Sequence, residues 1–138
     1  MTANITRRCR KLSECELMIK PVKDRRTGQF VSKVWLSGKW LAGFGFNIGA
    51  VATAKAVPGK LTIALVDCSP PDYRKMVRNA RRDKYQIIQV FYVGRNNCIE
   101  VFGQCLERAG FFAGDYFMAE CSYGLIQITR YADNKRDL

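Results

Sequence analysis

Apolar and polar positions alternate along most of the chain in short runs that stop at glycine, and only one stretch has a helical rhythm. Val34-Trp-Leu-Ser and Ile99-Glu-Val-Phe each predict a short strand that runs into a glycine, Gly38 or Gly103. One or two helical turns follow, Lys39–Gly43 and Gln104–Ala109, with a glycine placed to cap the C-terminus. Phe46 and Phe111 then point back toward a core. Gly49 and Gly114 open a longer strand, Ala50–Val57 or Asp115–Ser122. Pro58-Gly59 and Tyr123-Gly124 predict tight turns into a final strand, Leu61–Leu65 or Leu125–Arg130. A further strand precedes each set, Leu17–Val22 (LMIKPV) and Tyr85–Val93. The pattern is thus β-β-short α-β-β, twice.

The two sets match each other at a constant offset of 65. Between residues 34–65 and 99–130, eight of 32 positions are identical: Gly38/Gly103, Leu41/Leu106, Gly45/Gly110, Phe46/Phe111, Gly49/Gly114, Ala54/Ala119, Gly59/Gly124 and Ile63/Ile128. Ordinary residue frequencies would give about two. Four of the pairs are glycines, which signals one backbone geometry used twice. The expected organisation is a basic arm (1–13), a first unit (14–69), a linker helix (70–84), a second unit (85–130) and a tail (131–138). A unit of about 50 residues is too small to bury a good core alone, so the two are expected to form one compact domain. Two such units can exchange strands into a mainly β, pseudo-symmetric barrel.

The helical stretch is PPDYRKMVRNARR, predicted to run from about Pro71 to Arg82. Tyr73, Met76, Val77 and Ala80 make one apolar face. Arg74, Lys75, Arg78, Arg81 and Arg82 fill the rest, and Lys84 follows. This is a face suited to a phosphate backbone or simply to water. Its apolar side is thin and has no Trp or Phe, which argues against a membrane-surface helix.

Charge sharpens this picture. With 23 Lys+Arg against 12 Asp+Glu, the 138-residue chain carries +11. Residues 1–13 hold four basic residues (Arg7, Arg8, Arg10, Lys11) and no acid, and residues 70–84 hold six against two. Residues 85–130 hold three basic against four acidic. The positive field therefore belongs to the arm, the first unit and the linker, and favours a polyanionic partner. Lys20, Lys23, Arg25 and Arg26 concentrate it between the first two strands, where the second unit has only Arg95-Asn96-Asn97.

The absence of His excludes His-dependent nucleophilic triads, His zinc sites and ribonuclease chemistry that uses His as acid and base. No paired-carboxylate or Asp-x-Asp metal motif is present, and no catalytic residue, metal or cofactor is assigned. The six cysteines form no Cys-x-x-Cys. Without an apolar leader segment they read as reduced thiols in a cytosol, most of them small buried hydrophobes. No apolar run approaches the roughly 18 residues of a membrane span.

The first unit, through Leu36, Gly38, Trp40, Leu41, Gly45, Phe46, Gly49, Gly59, Leu61 and Ile63, resembles the SymE-like family. The second, through Leu106, Gly110, Gly114-Asp115, Gly124 and Ile128, resembles the wider AbrB/MazE pattern to which SymE-like proteins are assigned. The resemblance implies a swapped-hairpin β barrel that binds nucleic acid, normally as a homodimer. Here two units in one chain would make an internal pseudo-dimer, open to further association. It also implies a role for the basic loop Lys20, Lys23, Arg25 and Arg26 in a DNA groove. SymE-like proteins are described as toxins of type I toxin–antitoxin modules with RNA cleavage attributed to them.

The function expected is nucleic-acid binding by occupancy, duplex DNA before RNA, in a bacterial cytosol or nucleoid or from a phage. The alternatives are an RNA-cleaving toxin and a small basic inhibitor or adaptor that binds a protein.

Overall fold

The structure, a computed structural model, describes residues 14–23, 25, 27–67, 70–83 and 87–130. Its strands are β1 (Glu14–Met18), β2 (Lys20–Lys23), β3 (Phe30–Ser37), β4 (Val51–Val57), β5 (Lys60–Leu65), β6 (Ile88–Tyr92), β7 (Cys98–Phe102), β8 (Tyr116–Ser122) and β9 (Leu125–Arg130). Its helices are α1 (Trp40–Gly43), α2 (Pro70–Arg82) and α3 (Gln104–Arg108). The fold is mainly β. The strands make two antiparallel sheets, β1-β8-β9-β5-β4-β6 and β2-β3-β7, rather than one closed barrel. β1 and β6 end the larger sheet on opposite sides, and β3 and β7 pair with each other in the smaller one.

Strand pairing follows the sequence repeat. In the middle of the large sheet Thr62 faces Gln127, its own counterpart at offset 65. In the small sheet Trp35 faces Glu100, again its own counterpart. A pseudo-twofold axis therefore passes through both pairs. On each side of it the first strand of one half pairs with the other half: β1 with β8, and β6 with β4. The hairpin tips reach across too. Gly59 N–H donates to the Ala109 carbonyl (2.7 Å) and Gly124 N–H to the Phe44 carbonyl (2.8 Å).

The short helices end in the same way in both halves. Phe46 N–H donates to the Leu41 carbonyl and Gly45 N–H to that of Ala42, while Phe111 and Gly110 repeat this with Leu106 and Glu107. This capping bond pattern needs a left-handed residue just past the helix. Gly45 (φ 90°) and Gly110 (φ 96°) supply it. The cap turns Phe46 and Phe111 inward, where both are fully buried.

One core takes residues from both sheets: Val34 and Leu36 of β3, Ile99 and Val101 of β7, Leu61 and Ile63 of β5, Ile126 and Ile128 of β9, with Leu41 and Leu106 from the short helices. These residues sit at alternate positions on each strand, so the period-two pattern puts one face in and one face out.

One predicted strand is corrected. LMIKPV is not continuous: β1 ends at Met18 in the large sheet and β2 starts at Lys20 in the small one. Ile19, between them, is buried, and its N–H and carbonyl bond Asp115 and Gly114. Val93 does the same in the second half, bonding Ala50 and Gly49. The chain changes sheet at Ile19 because burying that side chain and satisfying both of its backbone groups outweighs continuing the ladder.

Candidate nucleic-acid interface

Helix α2 begins at Pro70, one residue before the position read from sequence, and ends at Arg82. It packs on β6. The face predicted to be apolar is the one that docks: Tyr73, Met76, Val77 and Ala80 are half-buried. Tyr73 lies against Tyr92, ring centroids 4.4 Å apart and tilted by 30°. Arg74, Lys75, Arg78, Arg81 and Arg82 are all exposed. Among the described residues none of the five has an ion-pair or hydrogen-bond partner. The helix thus holds a row of uncompensated cations at fixed spacing, because its other side is anchored to the sheet.

The second basic group is not brought to this helix. Lys23 and Arg25 are exposed on and beside β2, and Lys20 lies on that strand opposite Lys33. β2 and β7 are the two edges of the small sheet, with β3 between them. The loop is therefore across that sheet from Phe102 of β7, which adjoins α2. Arg7, Arg8, Arg10, Lys11, Arg26 and Lys84 lie outside the described residues.

The sequence pattern missed a groove beside the helix. It has a volume of about 710 Å³ and is lined by Tyr73, Val77, Ala80 and Arg81 of α2, Ile88–Val90 of β6, and Phe102. Gln89, one of its lining residues, donates its amide N–H groups to the Phe102 carbonyl (2.9 Å) and to Cys105 Sγ (3.2 Å). Ile88 and Phe102 are 41% and 48% exposed. The alternation in Ile99-Glu-Val-Phe already places Phe102 on the outward face with Glu100, and an outward-facing Phe is the signal that could have been followed.

On the outer face of the small sheet Lys33 pairs with Glu100 (3.5 Å) and lies over the Trp35 ring, 5.4 Å from its centroid. The Trp35 indole N–H donates to Cys98 Sγ (2.6 Å). Burial pushes the Cys98 and Cys105 thiols up, opposed by their donors Trp35 and Gln89. Among the described residues no three Cys, Asp or Glu gather where they could share a metal ion, and no helix is long and apolar enough to cross a membrane.

No family model, curated protein or solved structure matches this chain.

Proposed function

We propose that this chain binds nucleic acid through its phosphate backbone, with duplex DNA the first candidate and RNA the second, and acts by occupancy rather than catalysis. The observation that carries this is the row Arg74, Lys75, Arg78, Arg81 and Arg82, exposed on a helix whose apolar face is docked on β6. Cations on a fixed scaffold gain more from a regular array of phosphates than cations on mobile side chains of a free tail, because less ordering entropy is lost on binding. The +11 net charge adds long-range attraction. The resemblance of the first unit to SymE-like proteins points the same way. The exchange of β1 and β6 between the halves is the pairing that an AbrB-like pseudo-dimer would need.

Filter binding on the full chain at several salt concentrations tests it. Replacing Arg78, Arg81 and Arg82 together by Gln is expected to lower affinity. It should also flatten the log–log salt slope by about 0.9 for each duplex phosphate that is no longer neutralised. Arg95→Gln, in the second half, serves as the control and is expected to leave both unchanged. Unaltered binding by the triple variant would remove α2 from the interface.

A further inference from the structure

We infer that the groove between α2 and β6 takes the bases of an unpaired nucleic-acid strand, while the arginines along its rim hold that strand's phosphates. This rests on the nucleic-acid reading above and adds to it a mode of binding for single strands at the same helix.

The groove brings an aromatic ring, an aliphatic side chain and charge together. Phe102 and Ile88, both partly exposed, line it together with Arg81. A base has apolar faces and polar edges, and aromatic side chains on a groove wall are a standard stacking partner for it. A duplex keeps its bases stacked inside and would have to unpair to reach these surfaces.

The charge runs along the same side of the helix as the groove. Tyr73, Val77 and Arg81 follow one another at a spacing of four and all line it. At 3.6 residues per turn Arg74 and Arg78 are the next positions round from Tyr73 and Val77 on that flank. The opposite flank carries Asp72 and Asn79. A strand with its bases in the groove would therefore have its phosphates beside Arg74, Arg78 and Arg81, and not beside the acid. A neutral extended peptide would fit the apolar surface but leave these three cations unmatched. This charge complementarity selects the nucleic-acid strand as the occupant.

Fluorescence anisotropy on the full chain provides the test, with labelled oligo-dT and oligo-U and a duplex of the same length. Two variants change the groove and leave the arginines: Phe102→Ala removes the exposed ring, and Ala80→Trp fills the space. Circular dichroism melts check that each is folded. Each is expected to weaken single-strand binding by between about fivefold and about a hundredfold, as removing one stacked side chain does, and to leave duplex binding within about twofold. Duplex binding with no single-strand binding in the parent chain would overturn the groove inference alone. Binding of neither would overturn the nucleic-acid reading with it. Full single-strand affinity in both folded variants would also sink the groove. So would displacement of the strand by poly-glutamate at equal charge concentration, since an acidic peptide supplies the charge without bases.

Discussion

The two halves of this molecule share a skeleton and differ on almost every surface that a partner could touch. The repeated glycines take matching φ values, Gly38 and Gly103 at 133° and 126°, Gly49 and Gly114 at 85° and 92°. The inward positions also correspond: Leu41 with Leu106, Phe46 with Phe111, Ile63 with Ile128, all buried. Outside the core the halves part. The first has the β2–β3 hairpin, whereas the second turns at Arg95-Asn96-Asn97 and closes with one bridge between Gly94 and Cys98. The first packs Trp40 edge-on to Phe44 and ties its indole N–H to the Ser37 carbonyl. The second has Cys105 and Ala109 in those places, and Gln89 reaches in to Cys105 instead. The core tolerates little change because packing penalises it from both halves at once, while the surfaces are free to specialise. Helix α2 joins the halves and docks on β6 of the second, so it breaks the pseudo-symmetry and sets a basic face beside that half.

The comparison would break first in the core. Phe46→Ala and Phe111→Ala each delete a fully buried ring at equivalent places. Each is expected to cost about 3–5 kcal/mol. Urea unfolding should place the two within about 1 kcal/mol of each other and show a single transition for both. Two separate transitions, or a large loss from only one substitution, would mean that the halves fold as independent units.

Glycine substitutions sharpen it next. Gly45 and Gly49 both have φ near 90°, so Ala at either is expected to cost about 1–2 kcal/mol in backbone strain. At Gly49 an added Cβ meets open space. At Gly45 it would come within 2.9 Å of Leu65 Cδ1 and of Tyr123 Cζ, the latter from the other half. Tyr123 is 78% exposed and can swing away, so the extra cost is small, about 1 kcal/mol. The same urea titration should rank Gly45→Ala below Gly49→Ala in stability. Adding Tyr123→Ala should recover part of the gap, which would show that one half constrains the other through this contact.

The glycine pairs, the alternation and the apolar face of α2 were legible in the sequence, because each is a local rule written in residue types. The partner of each first strand was not. Nothing in Leu17–Val22 states that Ile19 must be buried at a change of sheet, since that depends on Gly114 and Asp115, nearly a hundred positions away. Pro21 hinted at an interruption, because proline weakens a central strand, yet the break falls two residues earlier. The open, two-sheet arrangement also escaped the pattern. Each strand's in–out alternation is the same in a barrel and in two packed sheets, and only the long-range pairing separates them. At the candidate site the arginines were found by charge and spacing. The groove was not, because its walls come from α2, β6 and β7, which lie apart along the chain and meet only through long-range pairing.

The smallest expected difference between the halves is an alkaline one. Cys121 on β8 has Ala56 as its counterpart on β4, and both are buried. Burial pushes the Cys121 thiol from 9.0 up to about 11 in the folded chain, because a thiolate there would lose its water. The unfolded chain has no such penalty. Stability from this group is therefore intact below about pH 9 and is lost as the pH rises from there toward 11, where the unfolded state has already released its proton. Ala56 contributes nothing to this fall. Cys121→Ala makes the second half resemble the first at this position, and its melting temperature should decline less steeply than the parent's between pH 9 and 11, while the two run parallel at pH 7–8. Parallel curves over the whole range would mean that the thiol gains access to water as it ionises, and that β8 opens more readily than its buried, fully paired position implies.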